Sequence, residues 1–170
     1  ASPKADGEMF HVKKNATLTV IGGTLTGAYN SDGGGAIDLL DNATLILQGV
    51  TITDNRTTDH RGGGAIRMHG DNSHVQMDAD TVISNNHALL SLEEQDYYLG
   101  GGAISIGGEN CTVIGSNTLI TGNSSAYDGG GVIVEGSNCI VQGLNLQGNS
   151  TTHRGGGIHL WNEATNTTIT

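Results

Sequence analysis

The stretch from Gly33 to Asn55 reads GGGAIDLLDNATLILQGVTITDN, and its parts return along the chain in the same order. A glycine triplet followed by a small residue and Ile begins at Gly33, Gly62, Gly100 and Gly129, and a shorter version runs from Gly155 to Ile158. The intervals are 29, 38, 29 and 26 residues. A second marker is an Asn ahead of each middle strand: Asn15, Asn42, Asn72, Asn110, Asn138 and Asn166. A third is an aliphatic residue followed three positions later by Asn: Ile52/Asn55, Ile83/Asn86, Ile120/Asn123 and Leu146/Asn149. Repeats of this period mean a stacked architecture.

Within the quoted stretch, Ala36–Leu39, Thr44–Leu47 and Thr51–Thr53 read as three short strands separated by Asp41-Asn42 and Gly49. Alternation places Ile37, Leu39, Leu45, Leu47 and Ile52 on one side. One coil cannot bury that face alone. Stacked coils bury it continuously and pair each backbone N–H and C=O with the coil above or below. The expected fold is therefore all-β, a right-handed parallel β-helix of about 5–6 coils with three short strands each. The coils start near residues 10, 33, 62, 100, 129 and 155, and the whole of 1–170 reads as one β-helix fragment of a larger protein. A propeller blade would need about 40–45 residues and four strands. Two aliphatic columns follow: Ile37, Ile66, Ile104, Ile133, Ile158, and Leu25, Ile52, Ile83, Ile120, Leu146. The Asn residues are expected to stack at corners with their amides bonded along the column. The Gly triplet marks a corner needing positive φ and close backbone approach.

Composition agrees with this reading. The chain holds 28 Gly among 170 residues, with one Pro, one Phe and 14% charged residues. A formal charge of −10 argues against nucleic acid and against an anionic membrane surface. No apolar run is long enough to span a bilayer.

The Gly-Gly-Ala-Ile motif paired with aliphatic-x-x-Asn resembles the repeats of chlamydial polymorphic outer-membrane proteins, and more loosely other autotransporter passengers and repeat-rich surface proteins of gut bacteria. In the chlamydial repeats the second motif is Phe-x-x-Asn, whereas Ile or Leu stands there in this chain. The resemblance runs from about Phe10 to Thr170 and implies a surface-exposed, adhesin-like β-helix, extracellular or on a bacterial cell surface. It carries over no catalytic residues.

The candidate chemistry lies in the loops before the triplets. Ser31, His60, Tyr98, Tyr127 and His153 stand two positions before a triplet and are expected to align along one edge. His60, Arg61, Tyr97, Tyr98, Tyr127, His153 and Arg154 form the candidate ligand-binding set, since rings beside charges can stack a sugar or seat a protein partner. A loop insertion at 88–99, rich in Leu and Tyr, reads either as a partner contact or as a clip folded over a sheet.

The outward column of the first strand is expected to be Asp38, Arg67, Ser105, Val134 and His159, which makes no paired-carboxylate site for glycan cleavage. Cys111 and Cys139 each follow a corner Asn and belong to adjacent coils. They read either as a disulfide or as buried thiols filling a small apolar column. Turn carboxylates such as Asp32, Asp54, Asp59 and Asp128 could hold Ca²⁺ between coils, but none follows a calcium-loop pattern, no spacing points to zinc, and no cofactor is expected. The Asn-x-Ser/Thr sequons coincide largely with the repeat Asn residues, so the repeat explains them. Thr24/Thr26 and Thr51/Thr53 match a flat ice-binding row, but the following coils interrupt it. The expected function is a non-enzymatic adhesin or binding module with a glycan or protein receptor, no nucleic-acid partner and no membrane insertion. Terminal coils with open strand edges also allow end-to-end self-association. The alternative is a carbohydrate-active or sugar-binding β-helix.

Overall fold

The computed structural model describes residues 7–89 and 100–170. The chain forms a parallel β-helix of about five turns, with three sheets and no helix among the described residues. Every strand pairs in parallel with its counterpart one turn away.

The first sheet stacks Phe10–Val12, Ile37–Leu39, Ile66–Met68, Ile104–Ile106, Val132–Val134 and Ile158–Leu160. In the second sheet, the two later strands of each repeat lie side by side in one layer, as Thr44–Gln48 and Thr51–Thr53 do. Gly49, at φ 61°, makes the bend between them. In two later coils the bend becomes a register shift inside continuous strands, Thr112–Thr121 and Ile140–Gln147. The polar return loops carry a third sheet of two-residue strands: Tyr29–Asn30, Arg56–Thr57, His87–Ala88, Ser124–Ser125 and Ser150–Thr151. Three strands per coil thus describes the three sheets, but not their boundaries. Two predicted strands share a sheet, and the third sheet comes from what reads as loop in the sequence.

The interior is aliphatic. Ile37, Leu39, Leu45, Leu47 and Ile52 are all fully buried, as are Ile66, Ile83, Ile104 and Ile120 above them. Each contributes about 1.5–3 kcal/mol relative to exposure. The column Leu25, Ile52, Ile83, Ile120, Leu146 holds throughout. The other column needs a correction. Ile104 pairs with Val132, so Val132 and Val134 point inward while Ile133 takes the outward place beside Ser105 and His159. The cause is a one-residue slip of the fourth Gly triplet, in which Gly131 accepts from Ala103 N at 2.9 Å. A slip of one residue exchanges inward and outward faces.

Registered by backbone, the glycine column is Gly35, Gly64, Gly102 and Gly130. A Cβ on any of them would collide with the carbonyl oxygen of the next glycine in the column. None of these four has positive φ. Close approach, not backbone handedness, is what excludes side chains at the stack's centre.

The two Asn series also divide their work. Asn15, Asn42, Asn72, Asn110, Asn138 and Asn166 sit at turns with φ between 54° and 61°. There Asn is chosen because it tolerates the left-handed region. Among the described corner residues one amide bond of the expected kind is present, Asn166 Nδ2 to Asn138 Oδ1 at 3.3 Å. The continuous ladder belongs to Asn55, Asn86, Asn123 and Asn149. Each of the first three donates through Nδ2 to the Oδ1 of the next at 3.0 Å.

Candidate binding edge

The third sheet sets the edge. Its short strands turn toward the Gly triplets through one repeated device: a side-chain oxygen two residues back caps a backbone N–H. Asn30 Oδ1 accepts from Asp32 N at 3.0 Å and Thr57 Oγ1 from Asp59 N at 3.0 Å. Ser125 Oγ accepts from Tyr127 N at 3.2 Å and Thr151 Oγ1 from His153 N at 3.3 Å. The equivalent positions are therefore Asp32, Asp59, Tyr127 and His153. The expected edge of Ser31, His60, Tyr98, Tyr127 and His153 counts back from the glycines. The triplets at Gly129 and Gly155, however, are slipped by one residue, and the loop before Gly62 is longer, with seven positions from Thr57 to Gly64 against five from Asn30 to Gly35. Among the described residues of that set, only Tyr127 and His153 share a column. Tyr97 and Tyr98, with nearly all of the 88–99 insertion, lie outside the described residues.

Tyr127 and His153 stack with ring centroids 4.5 Å apart and planes inclined by 29°. Behind them sits Asp128, whose carboxylate is fully buried. Its Oδ1 is 3.0 Å from His153 Nδ1 and accepts from Arg154 N at 2.9 Å. Its Oδ2 lies 3.6 Å from His159 Nε2. The His159 ring meets Trp161 edge-on at 6.0 Å. Tyr127, His153, Asp128, His159 and Trp161 thus make one continuous strip from the third sheet onto the outer face of the first.

His60 and Arg61 belong to a second group, around Asp59. Asp59 Oδ2 pairs with Arg67 Nη1 at 2.7 Å, and its Oδ1 accepts from Arg61 N at 2.8 Å. His60 Nδ1 stands 3.3 Å from the same Oδ1. Ser105 Oγ donates to Arg61 O at 2.7 Å, which lays this loop over the first sheet. The Arg61 side chain reaches Glu135, Nε to Oε2 3.9 Å. Burial pushes the Glu135 carboxyl up to about 7, against the opposing pull of Arg61 and Arg67. Asp38 is also raised by burial, with Arg67 opposing. The two groups meet at a shallow groove lined by Asp59, His60, Leu89, Gly100 and Tyr127.

The outer face of the first sheet is accordingly roofed by loops. Ile133 is fully buried on that face although it is absent from the interior core. Sequence reasoning misses Glu135 and Trp161 as site residues; it sets Asp59 and Asp128 only among the turn carboxylates beside the ring stripe, and Asp38, Arg67 and His159 only as an outward column. Charged residues recurring in the middle of apolar strands are the one signal pointing to this face. Cys111 and Cys139 are both buried free thiols. Among the described residues, no group of three or more His, Cys, Asp or Glu side chains is arranged to hold a metal ion. Comparison with protein-family models, with curated proteins and with solved structures finds no match to this chain.

Proposed function

We propose that this chain is a non-enzymatic binding and display module, an extracellular β-helix at a bacterial cell surface that contacts a glycan or protein receptor. The observation that carries this reading is the Tyr127–His153 stack, held from behind by the buried Asp128. An aromatic pair whose position is fixed by a hydrogen-bonded carboxylate offers a pre-organised face for a sugar ring or an apolar side chain. The net charge of −10 favours a neutral or cationic partner over nucleic acid, and nothing in the segment requires membrane insertion. The resemblance to autotransporter-like repeats supports the same location.

A carbohydrate-active role is the second reading. Its support is the gathering of Asp59, Glu135, Arg61 and Arg67 on one outer face, with Glu135 holding its proton up to about pH 7. A panel of immobilised glycans, followed by assays on those retained, separates the readings. Binding without turnover that falls tenfold or more in Tyr127→Ala/His153→Ala supports the module. Turnover abolished by Glu135→Gln supports the enzyme. Glycan and receptor binding untouched by the double substitution overturns the proposed edge.

A further inference from the structure

Cys111 and Cys139 occupy the same position in the fourth and fifth coils. Their successors Thr112 and Ile140 are paired, and Ile140 N donates to Cys111 O at 2.9 Å. In-register neighbours of a parallel sheet stand about 4.8 Å apart, within the Cα range a disulfide spans. Both side chains point into the small column that holds Ala43 and Ser73 in earlier coils, and both are fully buried. Each thiol nevertheless lies one residue inside an exposed turn, at Asn110 and Asn138.

We propose that this pair is a dithiol modification site that reacts with small hydroperoxides and closes to a disulfide bolting the fourth coil to the fifth. Both thiols face carbonyls of the turn one coil before: Cys139 Sγ donates to Gly108 O at 3.5 Å, and Cys111 Sγ lies 3.3 Å from Gly70 O. Cys111 Sγ also lies 3.3 Å from Ser73 Oγ. The adjacent Cys139 thiol and Ser73 outweigh burial and bring the Cys111 thiol down to about 7, while the adjacent Cys111 and burial push Cys139 up. The Ser73 hydroxyl can stabilise a thiolate at Cys111, which assigns Cys111 as the nucleophile and Cys139 as the resolving partner. The Cys111 thiolate attacks one oxygen of the peroxide, the O–O bond breaks, and a sulfenic acid and hydroxide form. The Cys139 sulfur then attacks the sulfenic sulfur, and the S–O bond breaks as the S–S bond forms. The departing hydroxide takes the Cys139 proton. Two thiols and one hydrogen peroxide give one disulfide and two waters.

Only a close pair behaves this way. A lone buried thiol would stay inert or climb to sulfinic acid, and exposed cysteines would link different chains. The column also explains why only these two coils carry Cys: a cross-link needs two consecutive positions, and Ser73 and Thr167 flank them.

The test treats the folded chain with hydrogen peroxide and reads the intact mass and the tryptic map. The expected result is loss of two hydrogens, a linked Cys111–Cys139 peptide, and full reversal by dithiothreitol. The rate should rise through about pH 7 rather than near the free-thiol value of about 8.5. Cys139→Ser should give a dimedone-trappable sulfenic acid at Cys111 and no bridge. Three outcomes overturn the proposal: addition of two or three oxygens to Cys111 in the unsubstituted chain, links between chains, or no reaction while glutathione in the same vial is consumed. The mass and map of the unsubstituted chain decide between these outcomes, so the test holds even where the Cys139→Ser chain fails to fold.

Discussion

Asn86 gives both its backbone N–H and its side-chain Nδ2–H to a single atom, Asn123 Oδ1, at 2.9 and 3.0 Å. The same Nδ2 also reaches back to Ile52 O at 3.0 Å. The aliphatic-x-x-Asn motif is thereby explained: the carbonyl of the aliphatic residue in one coil accepts from the Asn of the next. Asn123 and Asn149 repeat the bond with Ile83 O and Ile120 O. In the first coil, where no Asn stands at this position, Ala28 N donates to Asn55 Oδ1 and ends the ladder.

Replacing Asn86 with Leu removes the acceptor for Asn55 N and Asn55 Nδ2, both buried. Each stranded donor costs about 1–3 kcal/mol, so Asn86→Leu should destabilise by about 3 kcal/mol or more in urea unfolding. The exposed corner Asn72, at φ 55°, is the contrast. Asn72→Gly keeps that backbone and should shift stability by less than about 1 kcal/mol. Equal effects at the two positions would mean that the ladder is not the stabilising series.

Gly102 and Gly157 make a second contrast inside one motif. A Cβ on Gly102 would strike Gly130 O and the Ser124 backbone, whereas one on Gly157 meets nothing within 4 Å. Backbone cannot yield as a side chain does, so Gly102→Ala should cost about 3 kcal/mol or prevent folding. Gly157→Ala should stay within about 0.5 kcal/mol. Circular dichroism melts of the two variants side by side check this, and a neutral Gly102→Ala would contradict the close approach.

Fold and site differ in how readable they are, for a physical reason. Stacking imposes the same environment on every coil, so Ile52, Ile83 and Ile120 repeat and the architecture can be inferred from them. Register does not follow as well, because one residue dropped before Val132 leaves the motif's appearance unchanged while reversing its faces. The binding edge is half legible: Tyr127 and His153 are column partners, but His60 is not, since Asp59 holds the equivalent turn position. The roofed face is least legible. It depends on Arg61 reaching Glu135 two coils away, a contact that no periodicity encodes.

The Arg67–Asp59 pair beneath that roof is enclosed, with side chains 12% and 5% exposed. Removing one partner of a buried pair strands the other, so Arg67→Met should cost about 3 kcal/mol. With Asp59→Asn already present, the same change should cost clearly less, because the charge it would strand is gone. A double-mutant cycle by urea unfolding measures the difference. Additive losses would show that the two charges do not act on each other.

Glu135 gives the pH dependence a definite sign. Its carboxyl rises from 4.5 to about 7 on folding because burial disfavours the anion, and its Oε1 is buried without a hydrogen-bond partner among the described residues. Between those values the folded chain binds more protons than the unfolded one, so this group makes stability fall as pH rises. The shift corresponds to about 3 kcal/mol, complete once pH exceeds the folded value. Glu135→Gln keeps the shape and removes the titration. Relative to the unsubstituted chain, the variant should therefore gain about 3 kcal/mol in urea unfolding between pH 4 and pH 8, most of it between about pH 5 and 7. Asp38, also raised by burial, is present in both chains and cancels in the comparison. Parallel stability curves for the two proteins across that range would mean that Glu135 stays ionised under the roof, held by Arg61 rather than protonated by burial.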